Sequence, residues 1–188
     1  LFENSHHDQA MDVANENTVL GSFDNDTLIY FGDTALFFRE DTAFKVRYRG
    51  KTGKYEEFII SYVFAVTPLQ QYLVEFPDGR IQVLPLCWDA REKEVGGQRW
   101  FHIYPDEYIK YDDVLYWTGL LQNWNYMCAE CHTTDLQKNF DIETNTYNTT
   151  WNEIDVSCEA CHGPGAQHTA WAQLDEKGKT PDGYDNYA

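Results

Sequence analysis

Alternation of apolar and polar side chains dominates the first half of the chain. Phe44, Val46 and Tyr48 alternate with Lys45, Arg47 and Arg49, the period-two pattern of a strand with one buried face. Gly50-Lys51-Thr52-Gly53 is a turn signal. Beyond it, Phe58, Ile60, Tyr62, Phe64 and Val66 line one face of a long predicted strand. Tyr72, Val74 and Phe76 run into Pro77-Asp78-Gly79, and Ile81 and Val83 return, which predicts a hairpin. Shorter strands are expected over 27–31 and 34–39. Residues 19–90 therefore read as an antiparallel β domain, with no His and no cluster of catalytic type.

The pattern changes on both sides of this domain. Residues 1–18 are polar and irregular. Residues 91–127 form a connector rich in rings, with a helical pattern from Asp113 to Cys131 that Gly119 weakens. Residues 133–157 are a Thr- and Asn-rich polar loop. Ser157 is a good N-cap for a short helix over Cys158–His162, which Gly163-Pro164-Gly165 ends. A second amphipathic helix is expected from about Ala166 to Lys177, ending near Gly178, with an irregular tail from Lys179 to Ala188. The predicted class is α+β: an N-terminal segment 1–18, a β domain 19–90, and a helical, loop-rich region 91–188.

That last region carries the candidate chemistry. Cys128-Ala129-Glu130-Cys131-His132 and Cys158-Glu159-Ala160-Cys161-His162 both read C-x-x-C-H, the attachment signature of a c-type haem. Two thiols about one helical turn apart can each add to a haem vinyl group. The following His then supplies the proximal nitrogen to iron. Cys128, Cys131, Cys158 and Cys161 are thus the expected haem-binding thiols, and His132 and His162 the proximal ligands, for two covalent haem c groups. A four-thiolate zinc shell is the rival reading, but zinc does not require the His that follows the second Cys in both motifs. Two disulfides are a third, although a bridge within C-x-x-C is usually redox-active and not a staple.

Each iron wants a second axial ligand, and His or Met can serve. His7 and Met11 are four apart and share a face on a helical turn. His102 lies among aromatics in Gly96-Gly97-Gln98-Arg99-Trp100-Phe101-His102-Ile103-Tyr104-Pro105, and His168 is three residues from Trp171. His168, His7 and His102 are taken as distal candidates in that order, with His6 and Met11 in reserve.

Charge and length bound the function. Among 188 residues, 14 Lys and Arg face 31 Asp and Glu, a net charge of −17. Such a surface excludes nucleic acid and anionic lipid as general partners and suits a cationic redox protein. The longest apolar run, Phe58 to Val66, is far shorter than the ~20 residues of a membrane span. The opening Leu1-Phe2-Glu3-Asn4 shows no signal-peptide pattern. Thioether attachment takes place outside the cytoplasm, so a processed N-terminus and an extracytoplasmic (periplasmic or extracellular) location are expected. Cys87, in Leu84-Pro85-Leu86-Cys87-Trp88, is expected to be a buried, inert thiol.

These stretches together resemble the multihaem c-type cytochromes in which haem motifs flank a β domain, often fused to tetratricopeptide repeats. The resemblance rests on Ser5-His6-His7-Asp8-Gln9-Ala10-Met11, Pro68-Leu69-Gln70-Gln71-Tyr72-Leu73-Val74, Gly96 to Pro105, Asn123-Trp124-Asn125-Tyr126-Met127-Cys128, and Ser157 to Gly165. His162-Gly163-Pro164-Gly165-x-x-His168 is also similar to a segment of ammonia-oxidiser multihaem cytochromes, in which the later His is typically a distal ligand. Two departures stand out. Family members usually carry another C-x-x-C-H shortly before the Ser-His-His stretch, and this sequence has neither that motif nor a repeat domain. The resemblance implies an electron carrier exchanging electrons with redox protein partners. The surplus of distal His over irons adds the expectation of a homopolymer, a filament with a continuous haem chain. The alternative is a haem enzyme with one open iron acting on a small nitrogen or peroxide substrate, with His102 in its distal pocket.

Overall fold

The computed structural model describes residues 2–174. Two antiparallel sheets form the body. One has four strands, β2 (Asp26–Tyr30), β3 (Asp33–Glu40), β4 (Ala43–Arg49) and β5 (Tyr55–Ile59), in sequence order. The other has five, in the order β1 (Asp12–Val13), β6 (Tyr62–Phe64), β7 (Leu69–Glu75), β8 (Ile81–Asp89) and β9 (Arg99–His102). The protein is thus α+β, mostly antiparallel sheet, with its few short helices in the C-terminal part. The five-stranded sheet draws β1 and β9 from outside residues 19–90.

The strand expected to run from Phe58 to Val66 is divided between the sheets. The Ile60 amide donates to Phe44 O in the four-stranded sheet, and the next amide, Ser61, donates to Leu73 O in the five-stranded one. The buried face also changes there: Phe58, Ile60 and Val63 enter the larger core, whereas Tyr62 and Phe64 pack half-buried against the smaller one, so the five expected positions do not share one face, and because all are apolar the pattern alone hides the switch. The β7–β8 hairpin forms as expected, with Glu75 opposite Ile81. Its register shifts between Gln71 and Leu73. Opposite that shift sits Pro85, which has no N–H to give to a ladder and suits a bulge.

The five-stranded sheet is a wall between two cores. Even-numbered positions of β7 and β8, such as Tyr72, Val74, Leu84, Leu86 and Trp88, face the four-stranded sheet. There they meet Phe37, Val46 and Phe58 in a core dense in rings. Trp100 stacks on Phe37 at 3.5 Å between centroids. Odd-numbered Leu73, Ile81 and Val83 face the other way and pack with Met11, Trp124 and Ala129. Strand β8 is consequently buried along its whole length.

The C-terminal region is built of short pieces. The helix expected over Asp113–Cys131 appears only at its end, as α1 (Trp124–Met127) and α2 (Ala129–His132). Before them the chain makes successive turns, tight enough at Gly119 that a Cβ would stand 2.7 Å from Val114 O. Tyr116 Oη and Trp117 Nε1 both donate to Arg49 O and tie these turns to the sandwich. Residues 133–157 are a ladder where a loop was expected: β10 (Phe140–Asp141) pairs with β11 (Thr146–Tyr147), and bridges join Thr134 to Glu153 and Gln137 to Thr150. Helix α3 spans Cys158–His162 and α4 spans Ala166–Ala172. The expected helix end near Lys177 and the tail lie outside the described residues.

Candidate haem-attachment site

Helix α1 delivers the first motif, and buried amides aim it. Asn123 caps α1, its side chain accepting from the Tyr126 amide at 3.0 Å, while its Nδ2 donates to Gln82 Oε1 at 2.8 Å. Asn125 accepts from the Ile81 amide at 2.8 Å and donates to Gly79 O and to Thr149 Oγ1. Both Asn side chains are buried, and satisfied buried amides specify one arrangement. Gly79 itself must be glycine: its φ is 76°, and a Cβ would stand 2.0 Å from Tyr147 O. The β7–β8 turn, α1 and the 134–153 ladder are therefore locked together.

Cys128 is the N-cap of α2, and Cys131 and His132 lie within it. Cys128 is half-buried, which raises its thiol pKa, and Cys131 is exposed. His132 Nδ1 lies 2.9 Å from Ala10 O. A carbonyl can only accept, so Nδ1 carries the proton and Nε2 keeps its lone pair. This is the arrangement of a metal-ligating His held by an outer hydrogen bond. The Phe64 ring lies 4.5 Å from the imidazole. The Ser5–Met11 stretch thus contributes a carbonyl at Ala10 and a packed side chain at Met11, which is fully buried in the smaller core. Neither Ala10 nor Phe64 was marked by the sequence as part of a haem site, because a backbone carbonyl and a strand aromatic have no motif.

The ladder returns the chain to the first motif. Thr134 Oγ1 accepts from the Ser157 amide at 2.9 Å and donates to Asp155 O at 3.0 Å. Thr134 is two residues past His132, and Ser157 is one before Cys158. With ~3.8 Å per residue step and one side-chain hydrogen bond between, His132 and Cys158 lie within roughly 18 Å along this link. The N-terminal stretch braces the same junction, since the Val156 amide donates to His7 O at 3.2 Å. Burial first, then the charges of Glu153, Asp8 and Asp12, push the Asp155 carboxyl upward.

The second motif is more open. Cys158, Cys161 and His162 are exposed. Cys158, His162, Gly163, Gly165 and His168 border one cleft of about 460 Å³. The fold therefore brings His162 and His168 to the same space, with the His168 ring 5.8 Å from that of Trp171.

His6 and His7 are exposed. His102 is placed differently. It is buried in β9 and stacks on Tyr30 at 3.6 Å and 6°. Its Nδ1 accepts from the Tyr104 amide at 3.0 Å. Burial lowers its pKa to about 4, so the ring is neutral and its proton sits on Nε2. Cys87 is buried and free, its thiol pushed up to about 12 by burial.

The donor set fits covalently attached haem: paired thiols on one turn, each followed by a His, and at His132 an Nε2 left free to bind metal. Among the described residues no three His, Cys, Asp or Glu side chains converge as a metal-binding group. A family model described as Cytochrome c554 and c-prime matches residues 117–163, about a quarter of the chain, and spans both motifs. Together these support a c-type cytochrome, a haem-bearing electron carrier with covalently bound haem c. No curated protein and no solved structure matches the chain. c-type cytochromes are typically extracytoplasmic, and among the described residues no helix is long and apolar enough to cross a membrane.

Proposed function

We propose that the protein is a dihaem c-type cytochrome passing single electrons between redox protein partners. The observation that carries this reading is the Thr134–Ser157 link, which ties the chain just after the first C-x-x-C-H motif to the residue just before the second. Bound at Cys128 and Cys131, and at Cys158 and Cys161, the haems supply the redox chemistry. The chain fixes their ligands and spacing. Ala10 O orients His132 through Nδ1, and Phe64 packs on the ring.

His168 serves as a distal ligand on the second motif's side, where it shares a cleft with His162. His7, exposed and with its carbonyl accepting from the Val156 amide next to the second motif, serves the second motif's iron or one in a neighbouring copy. The second case is the contact a haem filament needs, repeated head to tail without closing. His102, neutral and carrying its proton on Nε2, is left out of the ligand set as a packed core residue.

Low-temperature EPR of the oxidised protein, with haem quantified on the same sample, tests the reading. Two low-spin haems per chain are expected. A high-spin signal at neutral pH would point to an open iron and to the enzyme reading. Absence of haem would overturn the proposal. Electron microscopy showing only monomers and small closed rings would remove the filament.

A further inference from the structure

We propose that the groove between the β7–β8 turn, α1 and the tip of the 134–153 ladder binds a planar aromatic anion. The site has a volume of about 670 Å³, within the range of small-molecule pockets. Three cations line it, Lys51, Arg80 and Lys138, together with three rings, Tyr126, Phe140 and Tyr147. The protein as a whole carries −17, so saturable binding of an anion has to come from a local exception to that charge.

The charges at the groove are not all spent internally. Arg80 pairs with Asp78 at 2.6 Å and bonds Asn145 through both its carbonyl and its side chain. Its guanidinium lies 5.6 Å from the centre of the Tyr147 ring. Lys138 stands 3.3 Å from Glu130. Among the described residues Lys51 makes no ion pair, which leaves one cation in excess. Phe140 and Tyr126 are 45% and 54% exposed, so both rings are open to a ligand beside that charge. Flat aromatic faces and cations together select a flat ligand with negative groups at its edge, through stacking and charge-assisted hydrogen bonds.

The groove is separate from the haem ligands. Glu130, which holds Lys138, is two residues before His132 on α2, so about 200° around the helix from it. The same helix thus carries the iron ligand and, on another side, the carboxylate that pairs with the groove's Lys138. Tyr126 is two residues before Cys128, so an occupant would sit directly behind the first attachment point. Soluble flavin and quinone mediators belong to this ligand class. Their relevance rests on the cytochrome reading, whereas the binding site does not.

The test uses the full-length holoprotein, with haem content measured separately, and anthraquinone-2,6-disulfonate as the probe in equilibrium dialysis at low ionic strength. Saturable one-to-one binding is expected, weakened at least tenfold by Lys51→Glu and severalfold by Phe140→Ala, and weakened by raising salt. Both substitutions are at exposed positions, and circular dichroism verifies that each variant is folded. Inorganic sulfate at equal ionic strength should not compete. No saturable binding, or binding unchanged in both folded variants, overturns the proposal. Haem-loaded protein that fails to bind refutes the groove alone. Haem-free protein that still binds refutes the cytochrome and leaves the groove standing.

Discussion

The sandwich and the haem-attachment region solve burial in opposite ways. The sandwich fills itself: Trp100 lies flat on Phe37 and meets Phe23, Tyr72 and Trp88, all buried. The attachment region has a small core of Met11, Leu73, Ile81, Val83, Trp124 and Ala129. Its helices are four to seven residues long, far below the ~12–15 residues at which an isolated helix becomes even marginal in water. Cys131, Cys158, Cys161 and His162 are exposed. One region is completed by its own side chains. On the dihaem proposal the other is completed by a group that its side chains hold, most of all at α3 and α4.

The strongest way to break this contrast is to remove the haem from one motif. Cys158→Ala with Cys161→Ala should abolish the local order of residues 158–174 and make that stretch a site of limited proteolysis. The sandwich should keep its aromatic circular dichroism. Loss of the sandwich signal in that variant would mean the two regions fold as one unit. The complementary cut is Trp100→Ala. Deleting a buried Trp from a packed core costs about 3–5 kcal/mol, read as a lower urea midpoint. Haem content per folded chain should not change.

Much of the contrast was legible in the sequence. Phe44 to Arg49 announced a half-buried strand, and the hairpin at Pro77-Asp78-Gly79 followed from turn chemistry and parity. The two C-x-x-C-H motifs are self-contained, because thioether spacing is a local property of one helical turn. What was not legible is long-range. Ser61 bonds Leu73 while Ile60 bonds Phe44, and no periodicity reports a change of sheet. The 133–157 ladder is made of Thr and Asn whose pairing depends on Asn125 and Gly79, far along the chain. Ala10 takes part through its carbonyl, which every residue has. The Met11 side chain is buried in the smaller core, four residues after an exposed His7.

A smaller effect sharpens the view that buried amides, and not helix propensity, hold the first motif. Asn125→Ala removes the acceptor of the Ile81 amide and the donors to Gly79 O and Thr149 Oγ1. Leaving such buried groups unpaired costs about 2–3 kcal/mol. The loss should appear as faster hydrogen exchange at α1, α2 and the ladder, with β3 and β4 unaffected.

His102 offers a pH-resolved comparison within the sandwich. Burial lowers its folded pKa to about 4, from 6.5. The unfolded chain therefore binds the extra proton between these values, and stability conferred by the neutral ring is lost as pH falls from 6.5 to 4. The shift corresponds to about 2 kcal/mol once partial screening is allowed for. His102→Phe keeps a ring on Tyr30 and removes the titration. The difference in unfolding free energy between wild type and variant should shrink or change sign across that window and stay flat above pH 7. A flat difference throughout would place His102 in contact with solvent or with metal.

The smallest effect is expected from Lys138→Ala. Its partner Glu130 is 73% exposed and Lys138 39% exposed, and pairs of this kind contribute at most about 1 kcal/mol. Thermal unfolding should therefore be nearly unchanged, even though the pair joins the ladder to the helix that carries Cys131 and His132. A large loss would show that the ladder is held to α2 from its solvent side. The expected result leaves Asn123, Asn125 and the Thr134–Ser157 bond as the fastenings that set where the two motifs stand relative to each other.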